Sequence, residues 1–329
     1  MIATIASDTR RPSTTSIRPL LSQADVAWIE EGYRNGLPRH AGIERHLRGV
    51  VHDTLTHAGS LARAQLAFSL MSASGFDRLT ARDVGLAIEY YHTASLLLDD
   101  LPCMDDASYR RGHPCPHIVH GEAAAILGSL AMITRAYNLL WNAIHSLPAR
   151  RRRKVAQLVH DCLGLPGILN GQSHDLHFAE SSQSMADVMR VAEGKTVSLI
   201  RLTLLLPAYM SGRRQKELAD WEQLASAWGL AYQIMDDFKD HLLTTGETGK
   251  STARDAALQH PNLPGVIGAE AAMEILDARL TASRESIARI ARGFNGGAAL
   301  ERLQYMLESD RDRIARRMGL GQGLACPAT

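Results

Sequence analysis

The sequence predicts an all-α fold in a single domain, and three observations carry that prediction. From about residue 22, apolar residues recur every three or four positions, the spacing that places them on one face of a helix. Period-two alternation of β-branched residues, the mark of a half-buried strand, is weak throughout. Proline and glycine cluster near 112–116, 164–167, 246–249 and 261–268, where they separate one helix from the next. The chain has 329 residues, 45% of them hydrophobic, which is ample for a large core. No internal repeat or low-complexity linker divides it.

The elements follow in order. Residues 1–20, rich in Ser, Thr and Arg, lack the apolar core of a secretory signal and read as a flexible tail. The domain is expected over 21–320, with 321–329 as a short C-terminal tail. Thr80 followed by Asp83 resembles a capping box and opens a helical run over 81–100. Arg150 to Lys154 is a basic run read as a solvated helix start. Ser184 with Asp187 caps a run over 185–206. The clearest pattern is 215–242, where Leu218, Trp221, Ala225, Trp228, Tyr232 and Met235 form one stripe.

Composition excludes several functions. A net charge of +1 with 22% charged residues argues against nucleic-acid binding by bulk charge and against wholesale disorder. No apolar run reaches about 18 residues, so no membrane insertion is expected. The four cysteines, at 103, 115, 162 and 326, form no CxxC pair and no zinc spacing, which fits a reduced, cytoplasmic setting. Only five of the 36 basic residues are lysines, so the position of a lysine is informative.

The chemistry lies in two acidic clusters. LLLDDLPCMDDASYRRG carries Asp99, Asp100, Asp105 and Asp106 after an apolar helix, and YQIMDDFKD carries Asp236, Asp237 and Asp240 near the end of another. Asp236 and Asp240 are i, i+4 and share a helical face, where like charges repel unless a cation binds. Oxygen ligands suit Mg²⁺, which takes one or two carboxylates plus substrate phosphates. Two facing clusters could then hold a diphosphate through bridging metals. Arg110 and Arg111 offer forks for phosphate oxygens. Gln233 shares a face with Asp236, and Gly229 reads as making room there for a ligand. Lys195-Thr196 interrupts an apolar helix and Lys250 ends the TGETGK loop, so two of the five lysines flank the acidic residues, and an anion is their natural companion.

In order, DDLPCMDD with RRG, GQSHD, GKT, YQIMDDFKD and TGETGK resemble the motifs of the trans-isoprenyl diphosphate synthases, in detail the bacterial geranylgeranyl diphosphate type. The resemblance spans roughly residues 50–270. It implies an isoprenoid-synthase helical bundle around a deep central cavity, usually a homodimer. The implied reaction joins an allylic diphosphate to isopentenyl diphosphate. It further implies that Asp99, Asp100 and Asp105, with Asp236, Asp237 and Asp240, hold three Mg²⁺. Arg110, Lys195, Thr196, Gln233 and Lys250 would contact the allylic substrate, Arg111 and His92 isopentenyl diphosphate, while Gln172 and Asp175 would support the metal site. Cys103, inside the first motif, would fill space. Ala94 and Ser95, both small, would floor the tail pocket and suit a C20 product, with Tyr90 and Tyr91 one turn deeper.

One segment departs from the pattern. Where the family carries Gly-Lys-Arg-x-Arg-Pro, this chain has HAGSLARAQ. Gly59 and Arg63 remain, Arg63 as an isopentenyl diphosphate ligand, but Ser60 replaces the lysine, Leu61 the first arginine and Ala64 the proline. His260 stands where a later lysine is expected. The departure leaves two alternatives to elongation: a terpene-synthase-like enzyme that ionises an allylic diphosphate, or a non-catalytic subunit of a hetero-oligomer.

Overall fold

The computed structural model describes residues 21–37, 42–242 and 261–319. Lys250, His260, the 1–20 tail and the 321–329 tail lie outside the described residues. Among the described residues, apart from two two-residue strands, Tyr109–Arg110 and His113–Pro114, the regular elements are helical, as the periodicity predicts. They group into two compact units.

The first unit contains α1 (Gln23–Asn35), α2 (Arg45–Thr56), α3 (Ala62–Ala73), α4 (Arg78–Asp99), α5 (Pro116–His120) and α6 (Glu122–His145). Its axis is α4, which packs against α3 and α6 and is buried along most of its length. The start of α4 lies earlier than the sequence suggests. Asp77 is the N-cap, accepting from the Thr80 N–H at 2.9 Å, so Thr80 is the N3 residue of this cap and not a cap itself. The Tyr90 ring stacks on Tyr33 of α1, with centroids 5.0 Å apart, and its hydroxyl donates to the Tyr33 carbonyl at 2.6 Å. Tyr90, expected one turn deeper than the pocket floor at Ala94 and Ser95, thus fastens α1 to α4.

By length and composition alone α6 would be long and apolar enough to cross a membrane, a test that a core helix also passes. One face packs on α4, while Ile126, Leu127, Leu130, Tyr137 and Trp141 are exposed on this chain.

The second unit contains α7 (Ala149–Leu163), a π-helical turn (Leu165–Leu169), α8 (Asn170–Leu176), α9 (Met185–Ala192), a π-helical turn (Glu193–Val197), α10 (Ser198–Ser211), α11 (Gln215–Leu242), α12 (Leu263–Ile267), α13 (Ala269–Ala291) and α14 (Gly297–Arg317). The basic run Arg150–Lys154 is the start of α7, as expected. The Ser184/Asp187 capping box forms with both of its hydrogen bonds. α11 has the predicted bounds and packs against α10, α13 and α14. Its Trp228 donates to the buried Gln304 of α14 at 2.7 Å, and Ser283 of α13 donates to the same oxygen, so three helices share one satisfied polar node.

Candidate active site

In the first unit, α4 ends in the acidic cluster. Asp100 is its C-cap and is 1% exposed, while Asp99 is half-buried. The chain then folds back on the helix end. The Leu101 carbonyl accepts from the N–H groups of Met104 and Asp106, and the Asp105 N–H donates to the Asp99 carbonyl at 2.8 Å. This turn needs a left-handed residue, supplied by Asp106 at φ 46°. Asp99 and Asp105, six apart in sequence, thereby become neighbours at one helix terminus. On the inner turns of α4, His92, Ala94 and Tyr91 are buried and Ser95 is half-buried, its hydroxyl donating to the His92 carbonyl at 2.8 Å. Arg63 lies in the first turn of α3, with its Nε buried and without a hydrogen-bond partner. Ser60 precedes that turn and is half-buried.

In the second unit, the GQSHD and GKT motifs meet. Gly171 of α8 and Gly194 of the π-helical turn approach backbone to backbone, and a Cβ on Gly171 would lie 2.6 Å from the Gly194 Cα. Side chains at either position would force the two segments apart. That close approach seats Lys195 against Asp175, with Nζ to carboxylate 2.5 Å; Asp175 is buried and Lys195 a quarter exposed. The predicted 185–206 helix is thus interrupted at Lys195-Thr196, where the π turn widens the ladder. Such bulges are frequent at functional sites.

Thr196 and Gln233 are also brought together, Thr196 Oγ1 donating to Gln233 Oε1. Gln233 in turn donates to Asp237 Oδ1 at 2.8 Å. The other Asp237 oxygen accepts from the Leu263 N–H at 2.9 Å, and Asn262 donates to the Asp237 carbonyl at 3.1 Å. Asp237 is 4% exposed. Burial pushes its carboxyl up to about 8, and Asp236 and Asp240 push the same way, against the two donors. Asp237 therefore ties α11 to α12, whereas Asp236 and Asp240 are half-buried one turn apart.

Sequence reasoning did not single out Asn262 and Leu263. The usable signal was Asn262 ahead of Leu-Pro-Gly, a helix cap that the structure confirms, since Asn262 accepts from the Gly265 N–H at 2.9 Å. Gly229 is a correction: a Cβ there would sit 2.6 Å from Val197 Cγ2, so the space is filled by helix packing and not by a ligand. Arg110 lies in the strand Tyr109–Arg110 and Arg111 adopts φ 55° in the following turn, both half-buried.

Among the described residues no group of three or more His, Cys, Asp or Glu is arranged as a metal cage. The donor set is instead pairs of carboxylates at helix ends, the arrangement Mg²⁺ uses when waters and substrate phosphates complete its shell. Asp99 with Asp105, and Asp236 with Asp240, fit such a role. Asp237 fits it less well, because both of its oxygens already accept from protein donors.

The comparisons with known proteins bear on the family and the fold. The polyprenyl synthetase family profile matches residues 44–294. A geranylgeranyl diphosphate synthase of Cyanophora paradoxa is 29% identical, over 79% of this chain and 86% of its own. The chloroplastic geranylgeranyl pyrophosphate synthase 11 of Arabidopsis thaliana is 30% identical, over 85% of this chain and 74% of its own. In fold, the chain is similar to a geranyltransferase of Helicobacter pylori solved with magnesium and isoprenyl diphosphate, with a TM-score of 0.74 at 24% identity, covering 88% of this chain and 98% of that one. Two acidic helix ends, a lysine held in a π turn and a match across most of the chain lead to one conclusion: this chain belongs to the polyprenyl synthetase family.

Proposed function

We propose that the chain is a Mg²⁺-dependent trans-prenyltransferase that condenses an allylic diphosphate with isopentenyl diphosphate, releasing geranylgeranyl diphosphate (C20) as its main product. The observation that carries this reading is the folding of Asp105 back onto Asp99 at the end of α4, matched in the second unit by Asp236 and Asp240 on α11. Nothing in packing requires partly exposed carboxylates to be gathered in this way, since like charges at such spacing destabilise a helix without a cation.

Three Mg²⁺ are assigned to Asp99, Asp100, Asp105, Asp236, Asp237 and Asp240, with Asp237 acting mainly through its hold on α12. Bound there, Mg²⁺ supplies Lewis-acid stabilisation of the negative charge on the departing diphosphate. Lys195, oriented by Asp175, adds a fixed cation to the same charge, with Arg110, Thr196, Gln233 and Lys250 as further allylic contacts. Arg63, Arg111 and His92 orient isopentenyl diphosphate so that its alkene attacks the allylic carbocation. The face of α4 formed by buried Tyr91 and Ala94 with half-buried Ser95 limits the growing tail and keeps water from the cation. The released diphosphate accepts the final proton, so no nucleophilic Ser or Cys is needed.

The reading extends to a cytoplasmic homodimer. The described cysteines 103, 115 and 162 are free thiols, in keeping with a reducing compartment. The exposed apolar face of α6 is the kind of surface a second subunit covers.

The test is metal dependence. Asp99→Ala and Asp236→Ala should each lower turnover by about 10²-fold or more while circular dichroism and melting stay near wild type, because each removes an oxygen ligand and no packing. Near-normal turnover in EDTA would refute the assignment.

A further inference from the structure

The start of α3 is over-determined in a way the reaction assignments leave unexplained. Leu61, its N-cap, is 2% exposed, adopts φ 51° and provides no side-chain cap. A left-handed conformation in a non-glycine residue costs on the order of 1 kcal/mol or more, so the surroundings must impose it. Three contacts do so. Gln65 Nε2 donates to the Ser60 carbonyl at 2.7 Å. Gly85 of α4 lets the α3 backbone close in: a Cβ there would sit 2.6 Å from the Ala64 carbonyl oxygen. One turn further along the same face of α4, Glu89 reaches across, and its Oε2 accepts from the Ala64 N–H at 3.2 Å.

Glu89 is 4% exposed, a carboxylate inside an otherwise apolar stretch of α4. Burying such a charge is costly unless it meets a hydrogen bond and a favourable field. The N-terminus of α3 supplies both, an N–H that lacks an intrahelical acceptor and the positive end of the helix dipole. Glu89 thus acts as an N-cap donated by a neighbouring helix. It fixes the turn from which Ser60 and Arg63 project.

We propose that Glu89 is a positioning residue for isopentenyl diphosphate, acting through the first turn of α3 on Arg63; this rests on the assignment of Arg63 to that substrate. Because the three cationic residues the family carries at this segment are reduced here to Arg63 alone, the placement of that one guanidinium matters more, and so does the residue that holds its turn.

The test is steady-state kinetics on the full chain, varying each substrate in turn, for Glu89→Ala, Glu89→Gln, Glu89→Asp, Arg63→Ala and the double variant Glu89→Ala/Arg63→Ala. Loss of a charge-assisted hydrogen bond to the turn should raise KM for isopentenyl diphosphate about tenfold in Glu89→Ala. KM for the allylic primer and kcat should stay within about twofold, as expected when only one substrate's binding is affected. Glu89→Gln keeps an acceptor oxygen in place and should recover most of the loss. Glu89→Asp withdraws it by one methylene and should fall between, which keeps the test available if the alanine variant does not fold. In the Arg63→Ala background, Glu89→Ala should add little, because coupled residues are not additive. A purely structural role would move both KM values or kcat, and effects that multiply in the double variant would mean Glu89 does not act through Arg63; either outcome overturns the proposal. A raised isopentenyl KM in Arg63→Ala with a silent Glu89→Ala refutes the role of Glu89 alone. An unchanged KM in Arg63→Ala refutes the Arg63 assignment, and the role of Glu89 falls with it.

Discussion

Gly171→Ala tests whether the meeting of two glycines places Lys195. The new Cβ would stand 2.6 Å from the Gly194 Cα and closer still to the Lys195 amide nitrogen, where ordinary contact begins at 3.4 Å. The two backbones must therefore part by more than the 0.8 Å (3.4 − 2.6) that the Gly194 Cα alone would require, and neither is the flexible end of a side chain. Overpacking of this kind costs about 1–3 kcal/mol. Replacing a helical glycine by alanine returns about 0.4–1 kcal/mol through the unfolded chain. The clash wins, with a net loss of about 1–2 kcal/mol and a melting temperature lower by roughly 2–5 °C. Function should suffer more than stability. The displaced segment carries Lys195, held 2.5 Å from Asp175, and a misplacement near 1 Å can cost up to about 10²-fold. We expect kcat/KM for the allylic primer to fall about 10–100-fold, read from initial rates beside a thermal melt. A variant with unchanged melting and unchanged kinetics would refute the packing argument. Lower melting with an unaffected allylic kcat/KM would refute the role of Lys195.

Three further outcomes are expected. Ala94 is fully buried on α4, so Ala94→Phe should shorten the main product from C20 to C15, since one helical turn spans about 5.4 Å, close to one isoprene unit; dephosphorylated products resolved by chromatography decide it, and unchanged C20 would remove Ala94 from the pocket. Ser60→Lys should lower KM for isopentenyl diphosphate by about tenfold and leave that for the allylic primer unchanged, a charged hydrogen bond replacing a neutral one; no effect on either constant would detach Ser60 from that substrate. The folded Asp237 carboxyl holds its proton up to about 8, well above its ordinary value of 3.8, so its contribution to the stability of the metal-free protein is fully present below about 4 and lost as pH rises through 8. Asp237→Asn should flatten that decline in melts between pH 4 and 9, and an equally steep decline in the variant would contradict the assignment.

Much of the architecture was legible because helix periodicity is set locally. The stripe from Leu218 to Met235 defines α11 to its observed bounds. Ser184 and Asp187 cap α9 because a capping box needs only four residues. What failed depends on contacts distant in sequence. A glycine that admits a ligand and one that admits Val197 look alike in sequence, so Gly229 was misread. Tyr90 was placed by counting turns along α4, but only the fold shows its ring stacked on Tyr33, 57 positions away in the chain. At the start of α4, Asp77 with Thr80 and Thr80 with Asp83 share one spacing, and only the backbone shows which forms the cap. Motif order located the acidic clusters and Lys195. The partners that hold them, Gly171 for Lys195 and Leu263 for Asp237, come from pairings between separate segments.

The proposed elongation would be carried out by a chain whose isopentenyl segment keeps Arg63 but carries Ser60 in place of lysine. The direct measurement incubates the full chain and Mg²⁺ with an allylic diphosphate, with and without isotopically labelled isopentenyl diphosphate, and identifies all prenyl products by mass. Labelled C20 diphosphate is expected only when both substrates and Mg²⁺ are present. Consumption of the allylic diphosphate to an alcohol or a cyclic hydrocarbon at the same rate without isopentenyl diphosphate, and no labelled chain with it, would refute elongation.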